Sequence, residues 1–313
     1  MRGSGGVRES RDEARGSATR GRLDAEWESH RPVVFGVAYR LLGEVGAAED
    51  AVQDVWLRAA RADLSGVRDL RAWLVRVTGR RCLDLLGSAR RRYEVYPGPW
   101  LPEPLPTGAD AAQPVLVEES VTTAALIVMA ELKPDERVAF VLHDVFDVPH
   151  AEIAEMLRVS PAACRQLASR ARRRVRAATA PPEPSRGERE RVLAAFRAAY
   201  RDGDLDALVR LLHPDVVYTT DGGGQVFAAR IPIVGATRVG GTMLRVARRR
   251  GPALLLPFEV NGEIGALCYW RGELASVDTF GWEGDRIAAI RRVLNPHKLS
   301  HLGWLRRLPG DPG

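Results

Sequence analysis

The stretch WLPEPLP, residues 100–106, sets the strongest limit on how this chain can fold. Three prolines in seven residues exclude a helix or a central strand, because each fixes φ and removes a backbone donor. Residues 93–117 are Pro-rich throughout and end any helix that enters them. A second break, PPEPSRGE, lies at 181–188. A plain spacer has no need of Trp100, Leu101 and Leu105. Left in water, each would forgo roughly 1.5–3 kcal/mol that full burial could supply. The prolines lower the entropy lost on docking. The stretch therefore reads as a preformed strip that packs against a folded domain.

On either side of these breaks the texture differs. Residues 24–92 read as helices: Val34, Val37, Ala38 and Leu41 share one face, and Gly43 can close that helix. In AAEDAVQDVWLRAA (47–60), Val52, Val55, Trp56 and Ala59 form an apolar face opposite Glu49, Asp50, Gln53 and Asp54. A third helix over 69–92 sets Leu70, Trp73, Leu74, Val77, Leu83 and Leu86 against a basic side. Residues 118–178 are helical again, and 188–212 give two more amphipathic helices. Strands follow at Val216–Thr220, Val226–Ala229, Leu254–Val260, Glu263–Arg271, Glu273–Phe280 and Arg286–Val293, separated by glycine-containing turns. Helices followed by an antiparallel sheet describe an α+β domain. Residues 1–22 read as a disordered tail, without the apolar core of a signal peptide.

The net charge is +6, which fits an anionic partner but does not by itself choose nucleic acid over membrane. The apolar runs are too short to span a bilayer, so no membrane role is expected. Cys82, Cys164 and Cys268 are odd in number and widely spaced, which indicates neither a disulfide framework nor a metal site. A reducing cytoplasm is the expected location.

PHAEIAEMLRVSPAACRQLASRARRRV (149–175) has the cadence of a helix-turn-helix. Ser160 stands where an N-cap is wanted, with Pro161 at the first helical position. Arg158 occupies the turn position where glycine is common, and a left-handed backbone there would cost of order 1 kcal/mol. The second helix presents Arg165, Gln166, Ser169, Arg170 and Arg173 along one side. Arg and Gln suit paired hydrogen bonds to base edges, and Arg172, Arg174 and Arg176 can neutralise phosphates.

With those runs and ELKPDERVAFVLHDVFDVPHAEIAEML, residues 24–178 resemble regions 2 and 4 of extracytoplasmic-function sigma factors. WLPEPL (100–105), DGGG (221–224) and NPHKL (295–299) are similar to signatures of the subgroup with a SnoaL-like C-terminal domain, the SigJ-like sigma factors. The resemblance implies two all-α sigma domains, a region 2 helical bundle and a region 4 helix-turn-helix. It adds an α+β SnoaL-like (NTF2-like) cone-shaped barrel. The implied order is a tail (1–22), region 2 (23–92), linker (93–117), region 4 (118–178), linker (179–187), SnoaL-like domain (188–299) and C-terminal tail (300–313).

The resemblance also implies roles. Asp50, Gln53 and Asp54 would contact core RNA polymerase, whose β′ clamp helices and β flap are the expected partners. Arg71, Trp73, Arg76, Arg80 and Arg81 would act at the −10 element, where opening needs basic groups on single-strand phosphates. Arg165, Gln166, Ser169, Arg170, Arg172 and Arg173 would read the −35 element of promoter DNA. The two elements lie two duplex turns apart, ~70 Å. A polyproline-like linker of ~25 residues spans ~75 Å when undocked.

Trp100, Leu101, Pro102, Glu103, Pro104 and Leu105, with Asp221, Gly222, Gly223, Gly224 and Asn295, Pro296, His297, Lys298, Leu299, would form a regulatory contact between domains. Gln225 follows DGGG where the subgroup has Lys, and His297 replaces the subgroup's Asp. The barrel's cavity offers room for a small-molecule ligand; no cofactor is expected. The expected function is promoter-directed transcription initiation with intramolecular modulation, not enzymatic catalysis.

Two other readings also fit these residues. One is a one-component DNA-binding regulator with a ligand-sensing domain. The other is a SnoaL-type isomerase on a DNA-binding module, with His213, Asp215, Tyr218, Asp221 and Asp278 as candidate acid/base groups.

Overall fold

The computed structural model describes residues 6–94, 96–107, 122–178, 184–251 and 253–308. The expected linker over 93–117 is thus described only in part, and residues 108–121 and 179–183 lie outside the described set. The chain forms two compact units. Met1–Ala89 with Met129–Arg174 makes one, and Arg90–Val128 with Val175–Gly313 makes the other.

The first unit holds both helical regions. Helix α1 (Gly6–Leu42) begins inside the stretch expected to be tail and ends at Gly43, whose φ is 73° and whose N–H bonds Tyr39 C=O. Its Val34, Val37, Ala38 and Leu41 are fully buried, as their spacing requires. Helix α2 (Val45–Ala59) buries Val52, Val55 and Ala59. Trp56 departs from the expectation: it is 37% exposed, beside Leu57 at 45%. Helix α3 (Leu70–Glu94) buries Leu70, Leu74 and Leu86.

After α4 (Thr123–Glu131), α5 (Pro134–Phe140) runs into a π-helical turn at Val141–Val145. Helices α6 (His150–Leu157) and α7 (Pro161–Ala178) form the helix-turn-helix. Arg158 adopts φ 56° and ψ 43°, the left-handed turn expected of it. The Ser160 hydroxyl accepts from the Ala163 N–H at 3.1 Å, so Ser160 caps α7.

The second unit is built on a six-stranded sheet. A capping box at Ser185 and Glu188 starts α8 (Arg186–Asp202), and α9 (Leu205–Leu211) follows. The strands are β1 (Leu212–Asp221), β2 (Ile233–Val234), β3 (Ala253–Val260), β4 (Glu263–Trp270), β5 (Glu273–Glu283) and β6 (Arg286–Val293). Asn261-Gly262 and Arg271-Gly272 all have positive φ, as two-residue hairpin turns joining β3–β4 and β4–β5 require.

Two strand expectations need correction. Val226–Ala229 is not a strand; its Ala229 N–H and C=O both bond the Thr220 hydroxyl in a loop. The edge partner of β1 is instead β2. The sheet is mixed rather than antiparallel, in the order β2-β1-β6-β5-β4-β3, because β6 returns from the meander alongside β1 in the same direction. Helix α10 (Ala236–Arg250) was not expected, since Gly240 and Gly241 weaken its helical propensity, yet Ala236, Val239, Met243 and Leu244 form its buried face.

One face of the sheet packs on α8, α9 and α10 through Phe196, Leu208, Met243 and Phe280. The other carries Leu267, Tyr269 and Val277 under a 3₁₀ segment, Pro296–Leu305, that inserts Leu302 and Leu305. In that segment, part of the expected tail, Trp304 stays 46% exposed. The fold class is the expected one: two all-helical regions plus an α+β domain.

Candidate nucleic-acid interface and linker-binding site

On α7, Cys164, Ala168 and Ala171 are buried, which turns the opposite side outward. Arg165, Gln166 and Arg173 are exposed on that side, with Ser169 half-buried. Two other arginines on α7 are paired with carboxylates. Arg170 Nε donates to Glu136 Oε1 at 2.9 Å, and Arg172 Nε donates to Asp144 Oδ1. These pairs fasten α7 to α5 and the π turn. His143 and His150 stack at 3.6 Å beside it, and burial, then the neighbouring His143, holds His150 below its ordinary value.

On α3, Arg71 and Arg80 are exposed and Trp73 is half-buried. Arg81 bonds Asp54 of α2, with Nη2–Oδ2 at 2.6 Å. Arg76 bonds Glu152 of α6. Arg137 is buried and donates to Leu41 C=O at 2.8 Å, capping the end of α1. A methyl at Gly79 would collide with Leu142, so α3 and the π turn meet closely. The two helical regions thus pack directly on each other within this unit. On α2, Asp50 and Gln53 are exposed and adjoin Trp56 and Leu57.

The second unit brings WLPEPL, DGGG and NPHKL to one place. Asp221 is fully buried and its carboxylate accepts four hydrogen bonds. The donors are Tyr96 Oη (2.6 Å), Leu101 N (2.8 Å), Gly223 N (3.1 Å) and Lys298 Nζ (2.8 Å). Lys298 also donates to Leu101 C=O and lies over the Trp100 ring at 4.3 Å and the Tyr96 ring at 5.0 Å. Asn295 donates to Tyr96 Oη at 2.9 Å. Gly223 has φ 58°, and a Cβ there would overlap the Asn295 carboxamide.

Leu101 and Leu105 are buried, at 2% and 5% exposure. Further along the strip, His301 Nε2 sits 2.8 Å from Pro104 C=O, and Leu105 N donates to Asn261 Oδ1 at 3.2 Å. Thr107 N donates to Glu259 C=O, and its hydroxyl accepts from Gly262 N. Beyond residues 108–121, Thr123 N donates to Glu263 Oε2 at 3.0 Å, and Thr123 Oγ1 accepts from Asn261 Nδ2. Thr107 and Thr123 are therefore tied to one hairpin, β3–β4. Gln225 and His297 are both exposed, with no side-chain hydrogen bond to this site among the described residues.

Comparison with known proteins accords with this geometry. Residues 27–92 match the family model for Sigma-70 region 2, and residues 127–175 match that for Sigma-70, region 4. The chain is 46% identical over 276 residues to ECF RNA polymerase sigma factor SigJ of Mycobacterium tuberculosis, covering 85% of this chain and 86% of the relative. The chain belongs to the extracytoplasmic-function sigma factors.

The probable ECF sigma factor SigI of the same organism is 34% identical over 291 residues, covering 90% and 96% of the two chains. The crystal structure of M. tuberculosis SigJ superposes with a TM-score of 0.73 at 40% identity, covering 88% of this chain and 98% of that one. As a sigma factor, the protein works with core RNA polymerase and promoter DNA in transcription initiation.

Among the acid/base candidates of the α+β domain, Asp221 and Asp278 are engaged in buried contacts, Tyr218 lines a cavity and Asp215 is exposed. Asp278 is clamped by Arg292 at 2.8 and 2.6 Å, and both side chains are buried. Burial pushes the Tyr218 phenol up to about 12. His213 Nδ1 accepts from Asp215 N, which makes a local turn. Among the described residues no group of three or more His, Cys, Asp or Glu is placed to hold a metal, and no helix is long and apolar enough to cross a membrane. Sequence reasoning missed Tyr96, Asn261, Glu263 and His301 of the linker site. Asn-Gly was legible as a hairpin turn, but the side chain's second use as a linker tie was not.

Proposed function

We propose that the SnoaL-like domain of this sigma factor restrains initiation by holding the linker between its two promoter-reading regions. The reading rests on one observation: Thr107 and Thr123 are tied to the same β3–β4 hairpin. With both ends tied there, residues 108–121 add nothing to the linker's reach. Residues 96–107 remain, 12 positions that extend at most ~37 Å, against ~70 Å between −35 and −10 elements. The Arg76–Glu152 contact works in the same direction, since it keeps the −10 helix beside the helix-turn-helix. Release of the linker lets the regions part.

In the released form Arg165, Gln166 and Arg173 contact base edges of the −35 element, and Arg71 and Arg80 contact −10 phosphates. Asp50 and Gln53, with Trp56 and Leu57 beside them, meet the β′ clamp helices, and region 4 meets the β flap. The protein acts in the cytoplasm and without catalysis.

Asn261→Gly tests the restraint in the full-length protein. Glycine keeps the positive-φ turn but removes both side-chain ties to the linker. Run-off transcription with core polymerase is expected to rise several-fold. Output equal to that of the parent protein would overturn the restraint.

A further inference from the structure

The SnoaL-like domain contains a cavity of about 420 Å³, inside the 300–1,000 Å³ range usual for small-molecule sites. Its walls are largely apolar, with Ile233, Val246, Trp270 and Leu294 among them. Phe227, on its rim, is 87% exposed, which leaves a large apolar side chain with nothing to cover it.

The polar lining has one sign. Thr242, Arg245, Val246 and Arg249 lie at i, i+3, i+4 and i+7, so one face of α10 lines the cavity. Arg245 and Arg249, four residues apart, repel each other. Neither has a carboxylate partner among the described residues. Arg249 and Arg250 fall in the last turn of α10, where they offset the helix dipole. Arg245 lies before that turn, so the dipole does not account for it. Arg250 sits over the Trp270 ring at 4.6 Å, and the buried Trp270 Nε1–H has no acceptor among the described residues. Arg292 is already neutralised by Asp278. No carboxylate, imidazole or thiol lines the cavity among the described residues, and the Tyr218 phenol in its wall is pushed up to about 12 by burial, which keeps it protonated.

We propose that this cavity binds a small amphipathic organic anion, with an apolar body against Trp270 and Leu294 and an anionic head on Arg245 and Arg249. A neutral apolar ligand would leave the guanidinium repulsion in place. An inorganic anion would leave Phe227 and the apolar wall uncovered.

The wall is continuous with the linker site. Thr220 precedes Asp221, Leu294 precedes Asn295, and the loop carrying Phe227 follows DGGG directly. Occupancy therefore shifts the hold on Leu101, a consequence that rests on the proposed restraint of the linker.

Calorimetric titration of the full-length protein with 2-naphthoate, and with 2-naphthylmethanol as its neutral counterpart, tests the site. The carboxylate is expected to bind one to one and at least tenfold more tightly than the alcohol. Arg245→Gln combined with Arg249→Gln should abolish that preference. Absence of carboxylate binding, equal affinity for both compounds, or a preference unchanged in the double variant would each overturn the site. Hydrogen exchange at the Leu101 amide, with and without 2-naphthoate, is read separately. A changed rate supports the link to the linker, and an unchanged rate with binding intact overturns the link alone.

Discussion

Two of the ion pairs of this sigma factor, one in each unit, differ in depth. Arg76–Glu152 joins the two helical regions with both side chains 38% exposed. Lys298–Asp221 secures the linker on the SnoaL-like domain with exposures of 5% and 0%. Solvent screens the first, and such exposed pairs contribute about 0–1 kcal/mol. The second sits in a dry setting with its remaining hydrogen bonds satisfied, so removing one partner leaves a buried charge uncompensated. The Arg76–Glu152 pair is thus easily opened, whereas the linker site is a durable fixture.

The sharpest way to break this comparison is to remove one charge from each pair. Lys298→Met is expected to cost about 3–5 kcal/mol in urea unfolding of the SnoaL-like domain, and Glu152→Gln no more than about 1 kcal/mol in the helical unit. Similar losses from both would erase the distinction. Gly223→Ala tests the close approach at the same buried site. The positive φ and the overlap with Asn295 should together cost roughly 1–3 kcal/mol, measured in the same way.

Within the helical unit, Arg165 and Arg172 sharpen the contrast between a free and a held guanidinium. Arg165→Ala should leave thermal unfolding unchanged and cost about 1–3 kcal/mol at one −35 base position, with relaxed specificity, in a DNA-binding titration. Arg172→Ala should lower the unfolding temperature, because Asp144 loses its partner.

The smallest effect concerns pH. Burial holds His301 below its usual 6.5, against the Pro104 carbonyl, which acts the other way. The unfolded chain therefore binds the proton more readily than the folded domain. The stabilisation is present above pH 6.5 and is lost as pH falls towards the folded value. His301→Gln should flatten the slope of domain stability between pH 7.5 and 5.5; an unchanged slope would count against it.

Much was legible because local chemistry and global fold agree. Gly43, Ser160, Pro161 and the left-handed Arg158 all stand where the sequence places them, since caps and turns depend on neighbours along the chain. The apolar faces of α1 and α3 followed from periodicity. Trp56 did not, because helical spacing puts it on the α2 face but only a neighbour decides whether that face is covered. Val226–Ala229 has strand-like residues, yet the Thr220 hydroxyl takes the backbone groups that a ladder would need. The parallel β1–β6 pair depends on a return after about 70 residues, which no local signal encodes.

The sequence by itself determined the change from helical to α+β texture along the chain, the helix-turn-helix with its basic face, and the need of WLPEPLP for a surface to cover its apolar side chains. Those are consequences of backbone dihedrals, side-chain period and the cost of wetting apolar area. Only the tertiary structure decided which surface that is, which arginines are paired with carboxylates, and that Thr107 and Thr123 meet one hairpin. These depend on carboxylates brought together from distant positions, such as Asp221 with Lys298 and Glu136 with Arg170, whose pairing is settled by packing rather than by spacing.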